Sequence, residues 1–198
     1  SFHECVSRPP FWLKMAMAFF KMSRSSCATA NSRLSRRISA CAADRSLDVQ
    51  YYIWHGDQTG FLLLEAVWRA AERGVRVRLL LDDNGTSGLD DTIAALDAHA
   101  NIEVRLYNPF TVRSARGFNF LWDFARLNRR MHNKSFTADN QASIVGGRNV
   151  GNEYFAAGGG VWFKDLDVIA VGPAVREVSQ AFDLYWSSAS AYPATAVV

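Results

Sequence analysis

From residue 44 onward, segments typical of buried strands alternate with segments typical of amphipathic helices. Residues 47–54 (LDVQYYIW), 75–81 (VRVRLLL) and 102–107 are rich in β-branched, aromatic and aliphatic residues, which favours strands. Residues 58–73 and 89–98 separate them and carry apolar residues at helical spacing. Because a strand–helix–strand–helix–strand order needs crossover connections, it predicts a parallel sheet covered by helices.

The rest of the chain adds strands and a closing helix to this plan. Two short strand candidates flank residue 139, residues 165–171 (DLDVIAV) alternate like a further strand, and residues 174–186 favour a helix. The predicted fold class is α/β, with a mixed, largely parallel sheet flanked by helices. The predicted buried faces are Phe61, Leu64, Val67, Trp68 and Ala71 in the first helix, and Val175, Val178, Phe182 and Tyr185 in the last.

Length and charge exclude several classes of protein. A chain of 198 residues suits one domain, and it has no apolar run long enough to predict a membrane-spanning helix. Residues 1–43 hold seven Lys and Arg and one acid (+6), whereas residues 44–198 hold fifteen Lys and Arg and eighteen acids (−3). Because residues 44–198 carry a net negative charge, they do not have the overall basic character typical of proteins that bind nucleic acid.

The residue pattern changes near residue 43, which predicts that the chain has two parts. Residues 1–43 form an atypical segment rich in Ser, Arg and Cys, and residues 44–198 form the patterned domain. The three cysteines, Cys5, Cys27 and Cys41, all lie in the first part and have no CxxC spacing. This pattern favours free thiols over a disulfide framework or a zinc site.

The residues best suited to chemistry lie between positions 132 and 149. His132 and Lys134 are two apart on a predicted strand, so their side chains project from the same face. A neutral imidazole can attack phosphorus, while a neighbouring ammonium holds the oxygens that gain charge. Gly146 and Gly147 permit close approach of an anion to the backbone, and Asn149 can donate an amide hydrogen bond.

Asp139 lies between the two short strands, where it is expected to fix the turn rather than act as a base. A lone H-x-K is equally compatible with an ordinary β-hairpin that carries a surface His and Lys. The longer pattern HxKxxxxDxxxxxxGGxN specifies six positions in order, which makes a chance match improbable.

This pattern resembles the HKD signature of the phospholipase D superfamily. The segments 51–54 (YYIW), 74–83, 152–155 (NEYF) and 165–175 resemble the bacterial cardiolipin-synthase-like branch, and the resemblance extends over residues 44–193. It implies an α/β/α sandwich and a phosphodiesterase or phosphatidyltransferase that uses no metal or cofactor.

The resemblance also implies a role for each residue of the pattern. His132 is the nucleophile that forms a phosphohistidine, and an acid on a later strand, Asp165 or Asp167, orients its ring. Many members carry Ser where Gly147 stands, so a phosphate-binding hydroxyl is missing here. The implied catalytic residues are His132, Lys134, Asp139 and Asp165, and the implied phosphate-binding residues are Lys134, Gly146, Gly147 and Asn149.

The expected reaction passes the phosphatidyl group of phosphatidylglycerol, or of a similar anionic phospholipid, to an alcohol, which yields cardiolipin. The superfamily site needs two HKD motifs, and this chain contains one. The second is expected from a missing C-terminal half or from a homodimer partner. A homodimeric nuclease or other phosphodiesterase is an alternative, as is an inactive fragment that only binds anionic lipid.

Residues 108–131 form a long connection in which basic and aromatic residues interleave, which favours a lid or rim. Such a segment suits an anionic membrane surface or a single nucleic-acid strand, and a packed connection is the third interpretation. Because the body of the domain is acidic, lipid headgroups are favoured over nucleic acid. The residues concerned are Arg113, Arg116, Arg126, Arg129, Arg130, Phe110, Phe118, Phe120, Trp122 and Phe124.

The resemblance bears on location and on the first segment. We expect a cytoplasmic protein or one peripheral at the bacterial inner membrane, since the sequence shows no clear signal peptide. Relatives usually begin with a helix of apolar and small residues, whereas residues 32–46 read SRLSRRISACAADRS. We hypothesise that residues 1–43 are poorly ordered or arise from an out-of-frame reading.

Overall fold

The structure is a computed structural model that describes residue 36 and residues 39–113, 118–157 and 162–198. Seven strands form one sheet in the order β6-β5-β4-β1-β2-β3-β7. The strands are β1 (Ser46–Ile53), β2 (Arg76–Gly85), β3 (Ile102–Tyr107), β4 (Ser135–Ala138), β5 (Ala142–Gly146), β6 (Asp167–Val171) and β7 (Ala191–Pro193). The α-helices with defined bounds are α1 (Gln58–Glu72), α2 (Asp90–Asp97), α3 (Phe120–Leu127) and α4 (Pro173–Trp186).

The predicted α/β class and mixed sheet are confirmed, but the prediction of a largely parallel sheet is wrong. Strands β1, β2 and β3 are parallel, joined by the crossovers α1 and α2. The pairings β1–β4, β4–β5, β5–β6 and β3–β7 are antiparallel. The tight turn after β4 reverses the chain, which makes β4 and β5 antiparallel.

Both faces of the sheet are covered. On one face, Leu47, Val49 and Tyr51 of β1 belong to the same buried cluster as residues of α1 and α2. On the other face, Phe182 and Trp186 of α4 pack with a smaller cluster. Alternation along the strands produces the two layers, because successive side chains point to opposite faces.

The predicted face of α1 is partly wrong. Leu64 and Val67 are buried, but Phe61 is 49% exposed and Trp68 is 37% exposed. The helix buries further apolar residues instead, namely Leu63, Ala66 and Ala70. The four consecutive apolar residues at 61–64 (FLLL) point to all sides of the helix, so the sequence does not show which side packs on the sheet. In α4, Val175 and Phe182 are buried as predicted, and Trp186 completes the buried stripe.

Strand β2 continues to Gly85, past residue 81, where the predicted strand ends. Asp82 and Asp83 are fully buried within it, because their carboxylates accept hydrogen bonds from backbone and from arginines. Strand β7 and helix α3 were also not predicted, since each is short and its packing partners are distant in sequence.

The packed fold extends past the predicted boundary at residue 43. Ala40, Ala42 and Ala43 belong to the main buried cluster, and Arg36 is 1% exposed. Their contacts place these residues inside the domain rather than in a separate segment. Cys41 is an exposed free thiol, and the predictions for Cys5 and Cys27 lie outside the described residues. Among the described parts of the chain, no helix has both the length and the apolar character needed to cross a bilayer.

Candidate active site

The sheet topology brings the distant parts of the HKD pattern to one edge. Strand β4 runs antiparallel to β1, so its start lies beside the end of β1, with Ser135 opposite Gln50. Strands β5 and β6 reverse direction in turn, and Gly146 at the end of β5 lies opposite Asp167 at the start of β6. The segments that precede β4, follow β5 and precede β6 therefore share the edge at which β1 ends.

His132 and Lys134 are in direct contact there. The Lys134 ammonium lies 2.9 Å from Nδ1 of His132 and 3.3 Å from Nε2, and it donates to the His132 carbonyl at 2.7 Å. Since an ammonium can only donate, the ring nitrogen that it contacts presents a lone pair. His132 is exposed, whereas Lys134 is 6% exposed. The His132 ring is thus open to solvent, with the positive charge of Lys134 beside it.

Lys134 is itself perturbed by its surroundings. Burial lowers the pKa of its ammonium, and the nearby charge of Asp165 opposes that shift. A partly desolvated ammonium interacts more strongly with a phosphate oxygen than one in water. Lys134 is thus suited to binding an anion that enters from the exposed side of His132.

Two glycines leave space for residues 165–167, at the start of β6. A Cβ at Gly147 would lie 2.3 Å from Oδ1 and 2.4 Å from Oδ2 of Asp165. A Cβ at Gly146 would lie 2.4 Å from the carbonyl oxygen of Leu166. The absence of a side chain at Gly147, which departs from the superfamily pattern, therefore gives the Asp165 carboxylate its place against β5.

Asn149 is held at the same edge by the end of β1. Its Oδ1 accepts from the Ile53 backbone N–H at 3.1 Å, and its Nδ2 donates to the Tyr154 hydroxyl at 3.1 Å. The residue is 5% exposed. One of its two amide hydrogens is committed to Tyr154, which leaves the second for an incoming oxygen.

Asp165 and Asp167 differ in what binds them. Asp167 Oδ2 accepts from Arg36 at 3.2 Å and from Arg148 at 3.0 Å, and its side chain is 8% exposed. The Asp165 carboxylate accepts a hydrogen bond from the Leu166 backbone N–H at 2.8 Å, and its charge raises the pKa of Lys134. Asp167 is thus committed to two arginines, whereas the charge of Asp165 raises the pKa of Lys134, which leaves Asp165 as the candidate acid beside the His132–Lys134 pair.

Asp139 does not belong to this group. It lies in the β4–β5 turn with a φ of 53°, at the end of β4 away from His132. Its carboxylate accepts three backbone N–H groups, from Asp44 at 2.9 Å, Arg45 at 2.8 Å and Ser46 at 2.9 Å. Asp139 thus fixes the turn and the entry to β1, as its sequence position suggested, and its assignment as a catalytic residue is not supported by its location.

Sequence reasoning missed two residues that hold His132. The Tyr52 ring packs on the His132 ring with centroids 4.7 Å apart. Asp82 Oδ2 accepts the backbone N–H of Met131 at 2.8 Å, and its Oδ1 accepts from Arg130 at 2.8 Å. Burial raises the pKa of Asp82 despite the opposing charge of Arg130. The available signal was the acidic pair at the end of a parallel strand, where such sheets collect functional residues.

One group of metal-ligand side chains occurs among the described residues, formed by His55, Asp57 and Glu153. His55 Nδ1 lies 3.0 Å from Glu153. Asp57 caps α1 through Gly60 N–H at 2.9 Å and holds the Asn152 N–H at 2.6 Å. These hydrogen bonds and the ion pair account for the group without an ion.

A cleft of about 400 Å³ lies elsewhere, lined by residues 109–111 and 113, by Asp123 and Arg126, and by the C-terminal residues Tyr192, Ala196 and Val197. The lining includes neither His132 nor Lys134. The HKD residues instead stand on an open edge of the sheet.

Comparison with known proteins identifies relatives of most of the chain. Residues 34–186 match the family described as cardiolipin synthase, PLD-like domain. Cardiolipin synthase C of Escherichia coli K12 is 57% identical over 151 residues, which covers 76% of this chain and 32% of that protein. The chain thus spans about a third of the length of this curated relative.

Solved structures share the fold at low sequence identity. The phospholipase D family member Nuc from Salmonella typhimurium has a TM-score of 0.56 at 18% identity, covering 84% of this chain and 92% of that chain. Phosphatidylserine synthase from Haemophilus influenzae has a TM-score of 0.61 at 13% identity, covering 91% of this chain and 43% of that chain.

Proposed function

This chain belongs to the family of cardiolipin synthases with phospholipase D-like domains, and we propose that it carries one half of a phosphatidyl-transfer centre. The observation that supports the proposal is the convergence of His132, Lys134, Asn149 and Asp165 at one edge of the sheet. The substrate in this proposal is phosphatidylglycerol or a similar anionic phospholipid, and the product of transfer to a second lipid is cardiolipin.

In the first step, a ring nitrogen of His132 attacks the phosphorus of the phospholipid. The nitrogen–phosphorus bond forms as the bond from phosphorus to the headgroup oxygen breaks, which leaves a phosphatidyl-histidine. Lys134 and the second amide hydrogen of Asn149 hold the non-bridging oxygens as they gain charge. Asp165 balances the positive charge that develops around the ring.

The departing alkoxide needs a proton, and a second histidine must supply it. In the second step, that histidine takes the proton of the acceptor alcohol, whose oxygen attacks phosphorus and frees His132. The chain has a single HxK motif, and His3, His55 and His99 have no Lys two residues later. We therefore propose that the second motif comes from another copy of the chain or from a further C-terminal part. The exposure of His132 supports this arrangement, since a facing motif can reach it.

Trapping the intermediate tests the role of His132. The purified chain is incubated with vesicles of phosphatidylglycerol that carries ³²P, then quenched in alkali, because a nitrogen–phosphorus bond to imidazole survives alkali and hydrolyses in acid. Wild type is expected to retain label and His132→Asn to lose it. His99→Asn is the matched control, because His99 is paired with Glu72 at 3.0 Å, outside the HKD group. Equal labelling of wild type and His132→Asn overturns the proposed nucleophile.

Products and solution mass test the remaining claims. Thin-layer separation distinguishes cardiolipin from phosphatidic acid, the product of transfer to water. Analytical ultracentrifugation under assay conditions tests the half-site, since a monomer of 22.1 kDa that turns over phospholipid contradicts it. Release of nucleotides from DNA, with no product from vesicles, favours the nuclease alternative.

A further inference from the structure

Helix α3 exposes an unusual amount of apolar surface. Leu121 is 79% exposed, and Trp122 and Phe124 are each 61% exposed. Phe118, just before the helix, is 63% exposed. Large apolar side chains that are exposed together, rather than singly, mark an interaction surface.

These side chains lie on both sides of a kink in α3. Asp123 has a φ of −134° and a ψ of 32°, which are not helical, and it separates Leu121 and Trp122 from Phe124. Leu127 is fully buried, so it anchors α3 to the domain. The exposed apolar side chains of α3 therefore form a surface that faces away from the protein.

The arginines around α3 point the other way. Arg113 forms ion pairs with the buried Asp83 and with Asp90, and its side chain is 11% exposed. Arg130 pairs with the buried Asp82 at 2.8 Å and is 13% exposed. The interpretation in which these guanidinium groups meet lipid phosphates is thus wrong for these two residues, which brace the segment against the end of β2.

Two further arginines complete the picture. Arg126 pairs with Asp123 and donates to Asn108 Oδ1 at 2.6 Å, with its side chain 37% exposed. Arg129 is exposed, and its side chain has no ion pair within the described ranges. Arg116 lies outside the described residues. The apolar side of α3 thus remains as the outward feature, with Arg129 available beside it.

The position of α3 relates this surface to the chemistry. The helix ends at Leu127, five residues before His132, and the intervening Arg130 and Met131 are fixed to Asp82. A surface that docks through α3 is therefore coupled to the loop that carries His132. In a phospholipid the phosphodiester lies at the boundary between headgroups and acyl chains, which is the depth that interfacial aromatic rings occupy.

We propose that the outward side of α3 (Phe118, Leu121, Trp122 and Phe124) inserts into the surface of an anionic phospholipid membrane. The inserted rings set the depth of the domain, so that the exposed face of His132 meets headgroup phosphates. The role in turnover rests on the proposed function, whereas the membrane docking does not.

Two observations favour lipid over a protein partner. A standard protein interface uses roughly 20–30 residues a side, and this surface consists of four side chains on a single helical segment. Arg129, two residues past the end of α3, is also exposed beside this surface, where its guanidinium group can meet a lipid phosphate. Short amphipathic helices with Trp, Phe and Leu on one side and basic residues nearby bind anionic bilayers.

The test measures binding to sonicated vesicles, made either of phosphatidylcholine alone or of phosphatidylcholine with phosphatidylglycerol, by co-sedimentation. The double variant Trp122→Ser/Phe124→Ser is expected to bind at least about tenfold more weakly, because two large rings no longer leave water. Leu184→Ser on α4 is the matched control, since Leu184 is 76% exposed and lies on a different helix. Circular dichroism melts verify that each variant folds.

Each outcome separates docking from chemistry. Equal vesicle binding by wild type and the double variant overturns the proposal, as does equal loss in Leu184→Ser. Loss of a dimer in ultracentrifugation, with vesicle binding unchanged, assigns α3 to a protein interface and also overturns it. Vesicle binding and label retention are separate measurements, so failure of the phosphohistidine test leaves the docking result intact. If both proposals hold, the double variant loses turnover on vesicles but keeps it on phosphatidylglycerol with short acyl chains below its micelle concentration.

Discussion

The edge that carries the candidate active site and helix α3 depart in opposite ways from the usual arrangement of polar and apolar groups. At the edge, Lys134, Arg148 and Asn149 are each no more than 6% exposed. On α3, Trp122 and Phe124 are each 61% exposed. Buried polar groups and clustered exposed apolar groups are the two informative exceptions to the general distribution of residues.

The comparison teaches that the two exceptions are stabilised differently. Several buried polar groups at the edge are paired within the chain, as Asp167 is with Arg36 and Arg148. The exposed apolar side chains of α3 are not buried by the protein in this way, because Leu127 is the residue of this helix that packs inward. We infer that contacts within the fold stabilise the buried polar groups at the edge, whereas the exposed apolar groups of α3 are stabilised only when they bind another surface.

The largest expected effect tests whether the edge is stabilised from within. Asp167→Asn leaves the guanidinium groups of Arg36 and Arg148 buried without their carboxylate, so it should lower the free energy of unfolding by about 3–5 kcal/mol. Urea titration followed by circular dichroism measures the change. The matched control is Asp183→Asn, since Asp183 is 55% exposed and pairs with Arg78, and it should cost at most about 1 kcal/mol. Similar effects of the two substitutions would contradict this account of the edge.

A smaller effect tests the electrostatics at Lys134. Burial lowers the pKa of Lys134 and Asp165 raises it, so Asp165→Asn should lower that pKa further. The ammonium of the variant then loses its proton at a lower pH than in wild type, which narrows the pH range in which it can hold an anion. The ¹³Cε resonances of the four lysines report the titration, and Lys134→Gln assigns the signal. An unchanged or higher pKa in Asp165→Asn would place Asp165 too far away to act on Lys134.

The smallest expected effect concerns the stability of α3. Trp122→Ser/Phe124→Ser should change the free energy of unfolding by no more than about 0.5 kcal/mol per site, because both rings are already in water. Leu127→Ala, on the inward side of the same helix, should cost about 2–5 kcal/mol through lost packing. Thermal or urea unfolding of the two variants measures this contrast. A large loss in the double variant would mean that the outward rings support the fold.

Much of the fold could be predicted from residue patterns. Residues 102–107 were predicted as the strand that the structure contains, and the strands on both sides of residue 139 are present as β4 and β5. Local alternation and turn residues are sufficient for such elements, because their signal lies within a few neighbouring positions. The turn at residue 139 fixes the direction of β4 relative to β5. The antiparallel pairing of β4 with β1 depends on β1 being the unpaired edge strand of the parallel unit β1–β2–β3.

The candidate site divides in the same way. The spacing of His132, Lys134, Gly147 and Asn149 identified the residues, since the pattern is specific. The choice between Asp165 and Asp167 could not be made from sequence, because both lie two residues apart on one predicted face. It depends on Arg36 and Arg148, which reach Asp167 from positions 131 and 19 residues away in the chain.

The sequence by itself predicted the candidate site residues and most of the segments that become strands, because both predictions rest on short patterns. Only the tertiary structure decided that Asp139 also holds the start of β1, that Asp82 supports the His132 loop, and that the apolar side of α3 faces outward. The physical reason is that hydrogen-bond partners and burial depend on contacts between residues far apart in sequence. An apolar residue contributes to the sequence pattern in the same way whether it packs inside the protein or is exposed at its surface.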